Sequence, residues 1–156
     1  MPKNMLIKTE ELQDLYEKDF ILWIEKKVHA MKNGKFNLVD FENVIEELET
    51  LGRSEKRAIL SLIKQILIHL LIYQYWTEQK DYNGHHWRGE IRAFRQQLRQ
   101  DLTRTLRNYA LEQLDDIYQD AVEIAIDKSG LNCFPLQREY TFEQILNENW
   151  LPDISE

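Results

Sequence analysis

Leu12, Leu15, Tyr16, Phe20, Trp23, Ile24, Val28 and Met31 recur at mixed three- and four-residue steps, the period of an α-helix. The pattern predicts a first helix from Thr9, a capping residue type, to about Asn33, with Gly34 just past its end. Phe20–Ile24 is apolar on every side, which predicts cover from two neighbours. A second pattern opens at Asp40 as N-cap and carries Phe41, Val44, Ile45, Leu48 and Leu51. Gly52 interrupts it and Ser54 can cap a fresh helix, so 40–76 is one bent helix or two in succession. A helical Gly costs roughly 1 kcal/mol relative to Ala, which permits either outcome. No proline or loop composition separates the halves, so a continuous helix is the expectation. Ile59–Trp76 is the most apolar stretch, cut by Lys64, Gln65, His69 and Gln74. A bilayer span needs about 20 predominantly apolar residues, so this reads as a central core helix, with no membrane association expected.

The polar run Glu78–His86 contains Asn83-Gly84, a turn signal. A further helix is then expected from about Trp87, burying Trp87, Ile91, Phe94, Leu98 and Leu102. The pattern falters over Thr103–Asn108. A fresh helix from about Asn108 carries Tyr109, Leu111, Leu114, Ile117, Tyr118, Ala121 and Ala125, and Gly130 ends it. Pro135 keeps the next segment extended, and Thr141 with Gln144 has capping-box spacing for a short helix stopped by Pro152. The expected fold is all-α: a helical bundle of four to five long helices around a central apolar helix at about 54–76, plus a short C-terminal helix. It is read as a single domain over 1–156, with 1–8 a flexible N-terminal segment.

Composition sharpens this picture in one respect. Hydrophobic residues make up 43% and charged residues 30% of 156, ordinary globular usage, so a packed core is expected without disulfides. The lone Cys133, read as a small buried hydrophobe beside Phe134, and the polar start of the chain point to the cytoplasm. A net charge of −7 argues against the whole molecule sheathing nucleic acid.

Several phrases carry a resemblance. Tyr16-Glu17-Lys18-Asp19-Phe20 leads to Trp23, and Glu46–Arg57 reads E-E-L-E-T-L-G-R-S-E-K-R. His69-Leu70-Leu71 with Gln74, Trp87-Arg88 with Ile91 and Arg95, and Tyr140-Thr141, Gln144-Ile145-Leu146 and Leu151-Pro152 come next, in that order. In these the chain resembles domain-of-unknown-function family 29, a bacterial family abundant in cyanobacteria. The resemblance implies an α-helical, cytoplasmic, domain-sized protein and brings no activity with it.

Two charged stripes are the main chemical feature. Glu42, Glu46 and Glu49 share an arc of one helix, and Arg88, Arg92, Arg95 and Arg99 share an arc of another. Like charges four apart destabilise a helix by ~0.2–0.5 kcal/mol per pair, so each stripe calls for partners. The simplest expectation is structural ion pairing of the two stripes with each other. The alternative is an anion or nucleic-acid face, since Arg88–Arg107 holds six Arg against Glu90 and Asp101. Against nucleic acid, Asn108–Asp127 carries six acids and no base.

Metal and catalytic motifs are weak. No His has Glu three residues before it, so the Glu-x-x-His pair of carboxylate-bridged bundles is absent. His69 with Glu46 and Glu49 is the candidate carboxylate–histidine site, His85-His86 near Asp81 is a separate weak candidate for a transition metal, and no metal is expected. No catalytic residue is assigned, nucleotide glycine motifs are missing, and no cofactor is called for. Tyr73, Tyr75, Trp76, Tyr82 and Trp87 surround the polar Glu78–His86 run, and Trp, Tyr and Arg dominate interface hot spots. The expected function is therefore a non-enzymatic, cytoplasmic helical interaction domain, binding a protein partner or itself. The candidate surface is Tyr75, Trp76, Tyr82, Trp87, Arg88, Arg92 and Arg95. A nucleic-acid accessory role through Arg88–Arg99 is the second reading and the metal-binding bundle the third.

Overall fold

A computed structural model describes residues 15–155, so the expected helix start at Thr9 and the segment 1–8 lie outside the described residues. Residues 15–18 are helical. Beyond them lie the helices α1 (Phe20–Lys32), α2 (Phe41–Tyr75), α3 (Lys80–Asp101), α4 (Arg104–Ser129) and the short α5 (Phe142–Leu146). Single 3₁₀ turns at Phe36–Leu38 and Thr77–Gln79 join them, and the described residues contain no strand. The all-α expectation is met. By its contacts the chain divides into two compact units, one ending at Arg53 and one beginning at Ser54. α2 runs unbroken through Gly52 and contributes to both.

In the first unit the expected continuous first helix is interrupted at Asp19. Its backbone leaves helical geometry (φ −145°, ψ 83°), and its side chain accepts a hydrogen bond from the Leu22 N–H at 3.1 Å. A short acidic side chain competes in this way with helical bonding, starting a new helix instead of continuing the old one. α1 ends as expected, with Asn33 as C-cap and Gly34 at φ 68°. The cover predicted for Phe20–Ile24 is not found: Trp23 is buried, but Phe20, Ile21 and Leu22 are exposed. A polar hub does much of the holding. Asp40 accepts from the Trp23 indole at 2.9 Å and from the Asn43 amide at 2.8 Å. The buried Lys27 ammonium lies 3.0 Å from the other Asp40 oxygen and donates to the Leu38 carbonyl at 3.0 Å. The Tyr16 hydroxyl donates to Glu47.

The second unit has a conventional apolar core around the C-terminal half of α2, where every residue from Ile66 to Tyr73 is buried. A helix buried on all sides is a core helix. α2 is long and apolar enough to cross a membrane by length and composition alone, yet Ile59, Ile63 and Ile66–Ile72 are enclosed by protein here. Trp87, Ile91 and Leu98 of α3 pack on them, with Leu106, Leu114, Ile117 and Tyr118 of α4. Ala110, Ala121 and Ala125 let α4 approach closely, and Phe134, Tyr140, Phe142 and Ile145 complete the core.

Four local expectations change in this unit. Asn83-Gly84 is not a turn, because the chain has already reversed at Trp76–Gln79. α3 starts at Lys80, the Asn83 amide donates to Gln79, and Trp76 stacks on Trp87 with ring centroids 5.6 Å apart. α4 begins at Arg104 and not near Asn108, since Thr103 caps it by accepting from the Leu106 N–H. Buried Leu106 and Ala110 lie among charged neighbours that hide the apolar period. α5 has the expected capping box but ends at Leu146, well before Pro152. Cys133 is exposed, not buried.

Candidate functional site

Arg95 organises one face of the second unit. It is 2% exposed, and a guanidinium so placed must have its donors satisfied. Nε donates to the Ile145 carbonyl at 2.8 Å, and the terminal nitrogens donate to Trp150 at 2.7 Å and Gln144 at 2.9 Å. Burial pushes its pKa down to about 10, with Glu148 opposing the shift and Arg92 adding to it, so it stays charged at neutral pH. Through these bonds α3 carries α5 and the residues after it as a wall. Between wall and helix lies a cleft of about 400 Å³ lined by His85, Arg88, Gly89, Arg92, Arg95, Glu148, Asn149 and others. Arg99 pairs with Glu148 at 2.7 Å, which neutralises the one carboxylate in the lining.

The structure sorts the residues of the expected surface into two groups. Trp87 (5% exposed) and Arg95 belong to the interior and offer nothing to a partner. Tyr75 and Trp76 are half-buried and pack on the core, Tyr75 edge-on to Phe134. Burial raises the Tyr75 pKa, keeping it a neutral phenol. Tyr82 is 84% exposed, and Arg88 and Arg92 are exposed at the cleft. The acidic stripe has local partners: Arg53 lies 3.5 Å from Glu46 and 3.8 Å from Glu49, and Glu42 is exposed. His69 is buried, with Nδ1 2.7 Å from the Gln65 carbonyl and its ring beside Phe94. A carbonyl only accepts, so Nδ1 carries the proton. Burial lowers the His69 pKa and favours the neutral ring. His85 and His86 are exposed on α3. Among the described residues no three His, Cys, Asp or Glu side chains are grouped to hold a metal ion.

Sequence reasoning missed the cleft's far wall, Glu148, Asn149 and Leu151, because the Arg95 bonds and the Arg99–Glu148 pair that bring it to α3 join residues about fifty positions apart. It also gave no sign that the first half of α2 is bare. In the first unit Phe41, Ile45, Leu48 and Leu51 lie on one arc of α2, and all are exposed, Leu48 by 62% and Leu51 by 61%. The same arc continues through Ile59, Ile63, Ile66 and Leu70, which are fully buried. Covered and uncovered stretches thus share one helical period on either side of Gly52, and periodicity alone cannot tell them apart.

No curated protein and no solved structure matches the chain. A family described as domain of unknown function DUF29 matches residues 15–151. That span holds both the bare stripe and the Arg95-braced cleft. The match covers most of the sequence, and the chain belongs to this family.

Proposed function

We propose that this protein is a cytoplasmic, non-enzymatic helical interaction domain that self-associates through its first unit. The observation carrying the reading is the uncovered stripe Phe41–Ile45–Leu48–Leu51. With about 200 Å² for a fully exposed large side chain, it presents roughly 400 Å² of apolar surface. Ile21, Val28, Met31 and Phe36 are also exposed in this unit and bring the area near the ~800 Å² that each partner contributes to a standard interface.

Charge selects a second copy as the occupant. α1 and the turn after it expose Lys26, Lys32 and Lys35, whereas the first turns of α2 expose Glu42, Glu46 and Glu49. A two-fold pairing sets α1 of one protomer against α2 of its partner, so that each basic segment meets an acidic one. Such isologous contacts are the commonest form of self-assembly. Light scattering after size exclusion tests this on the full chain. A dimer is expected for the wild type and a monomer of unchanged helicity for Leu48→Glu, since Leu48 is 62% exposed. A monomeric wild type at 100 μM overturns the reading.

A further inference from the structure

We propose that the cleft between α3 and the segment after α5 binds the phosphate group of a small phosphate monoester. Arg88 and Arg92, one turn apart and exposed at its mouth, have neither an ion-pair nor a hydrogen-bond partner among the described residues. Two like charges at this spacing repel one another. The two guanidiniums together balance a dianion and offer it planar, forked donors. Arg95 also lines the cleft and adds its charge, although it is 2% exposed and gives three N–H groups to backbone carbonyls. The His85 ring and the Asn149 amide complete a donor-rich lining.

Three further features fit a small anion. Glu148 would repel one, but its carboxylate is engaged by Arg99. At Gly89 the helix surface is open, because a Cβ there would meet nothing within 4 Å. A volume of about 400 Å³ suits a metabolite-sized ligand. A nucleic-acid strand is disfavoured, since the six acids and absent bases of Asn108–Asp127 lie in this same unit. The next arginine on this face, Arg99, is engaged by Glu148, so the unpaired arginines do not extend as a free track of the kind a polymer needs.

Calorimetric titration of the full chain with glycerol phosphate tests the site, with vesicles containing phosphatidic acid as a second source of the same headgroup. Acetate and a 12-nucleotide single strand serve as comparisons. Saturable binding of either monoester is expected, with affinity at least tenfold lower in Arg88→Gln and in Arg92→Gln; which monoester binds separates a soluble from a lipid source. Both side chains are exposed and unpaired, so circular dichroism should be unchanged. Gly89→Ala is expected to raise the melting temperature while weakening binding, because it favours the helix and narrows the cleft; a merely structural role for Gly89 predicts only the first. No saturation by either monoester overturns the proposal. So does binding that survives both Arg substitutions, or tighter binding of the oligonucleotide.

Discussion

Arg95 on α3 donates through Nε to the carbonyl of Ile145, fifty residues later in the chain, at 2.8 Å. Its two other bonds reach the carbonyls on either side of the same turn, at Gln144 and Trp150. One buried cation therefore satisfies two carbonyls at the end of the short α5 and one from the segment after it.

Arg95→Ala should cost about 3 kcal/mol or more, because it strands those carbonyls and opens a void. Arg95→Lys should recover only part of this, since an ammonium cannot match the spread of a guanidinium. Urea unfolding of the three proteins checks the order. Equal stability of Arg95→Ala and the wild type would mean that the tail is held by its apolar contacts alone.

Asp40 should make the first unit sensitive to acid. Burial pushes its carboxyl up, but hydrogen bonds from Asn43, Trp23 and Lys27 outweigh that and hold it below the usual 3.8. The folded state thus binds the proton less readily than the unfolded state. The stabilisation is fully present above pH 4 and fades as pH falls through the lowered value. Asp40→Asn should remove this dependence and destabilise by about 3 kcal/mol at neutral pH, because it leaves the buried Lys27 without its counter-charge. The Trp23 indole N–H resonance reports the change directly: it should hold above pH 4 and shift only below the usual 3.8, and a midpoint above that value would contradict it.

Trp87 and Tyr82, five residues apart, should respond oppositely. Trp87→Ala should cost about 3–5 kcal/mol, as for a large aromatic removed from a core and from its stack on Trp76. Tyr82→Ala should stay within about 0.5 kcal/mol. Thermal melts of the two variants decide this, and a comparable loss in both would show that Tyr82 is covered in solution.

The elements themselves were largely legible. Three- and four-residue spacing located α1, α2 and α4, the Thr141–Gln144 box located α5, and Gly34 and Gly130 marked helix ends by the left-handed backbone they adopt. Boundaries failed where a local signal met a tertiary one. Asn83-Gly84 has turn chemistry, but the helix must already be under way to bring Trp87 onto Trp76. Asp19 was hidden inside a good apolar period because a single cap bond suffices to break a helix.

The candidate sites divide along the same line. That Arg88, Arg92, Arg95 and Arg99 share a helix face is a consequence of the helical repeat, which is a property of the backbone. Their separate fates are not: Arg95 is buried on three carbonyls, the exposed Arg99 is paired with Glu148, and Arg88 and Arg92 are left unpaired at a cleft. Those fates depend on where residues 144–151 return, some fifty positions away. Likewise Phe41, Ile45, Leu48 and Leu51 repeat with the same period as Ile59, Ile63, Ile66 and Leu70 beyond Gly52, yet the first set is exposed and the second buried. Periodicity states which side of a helix avoids water. Whether that side is covered or left bare is settled by contacts between residues far apart in the chain.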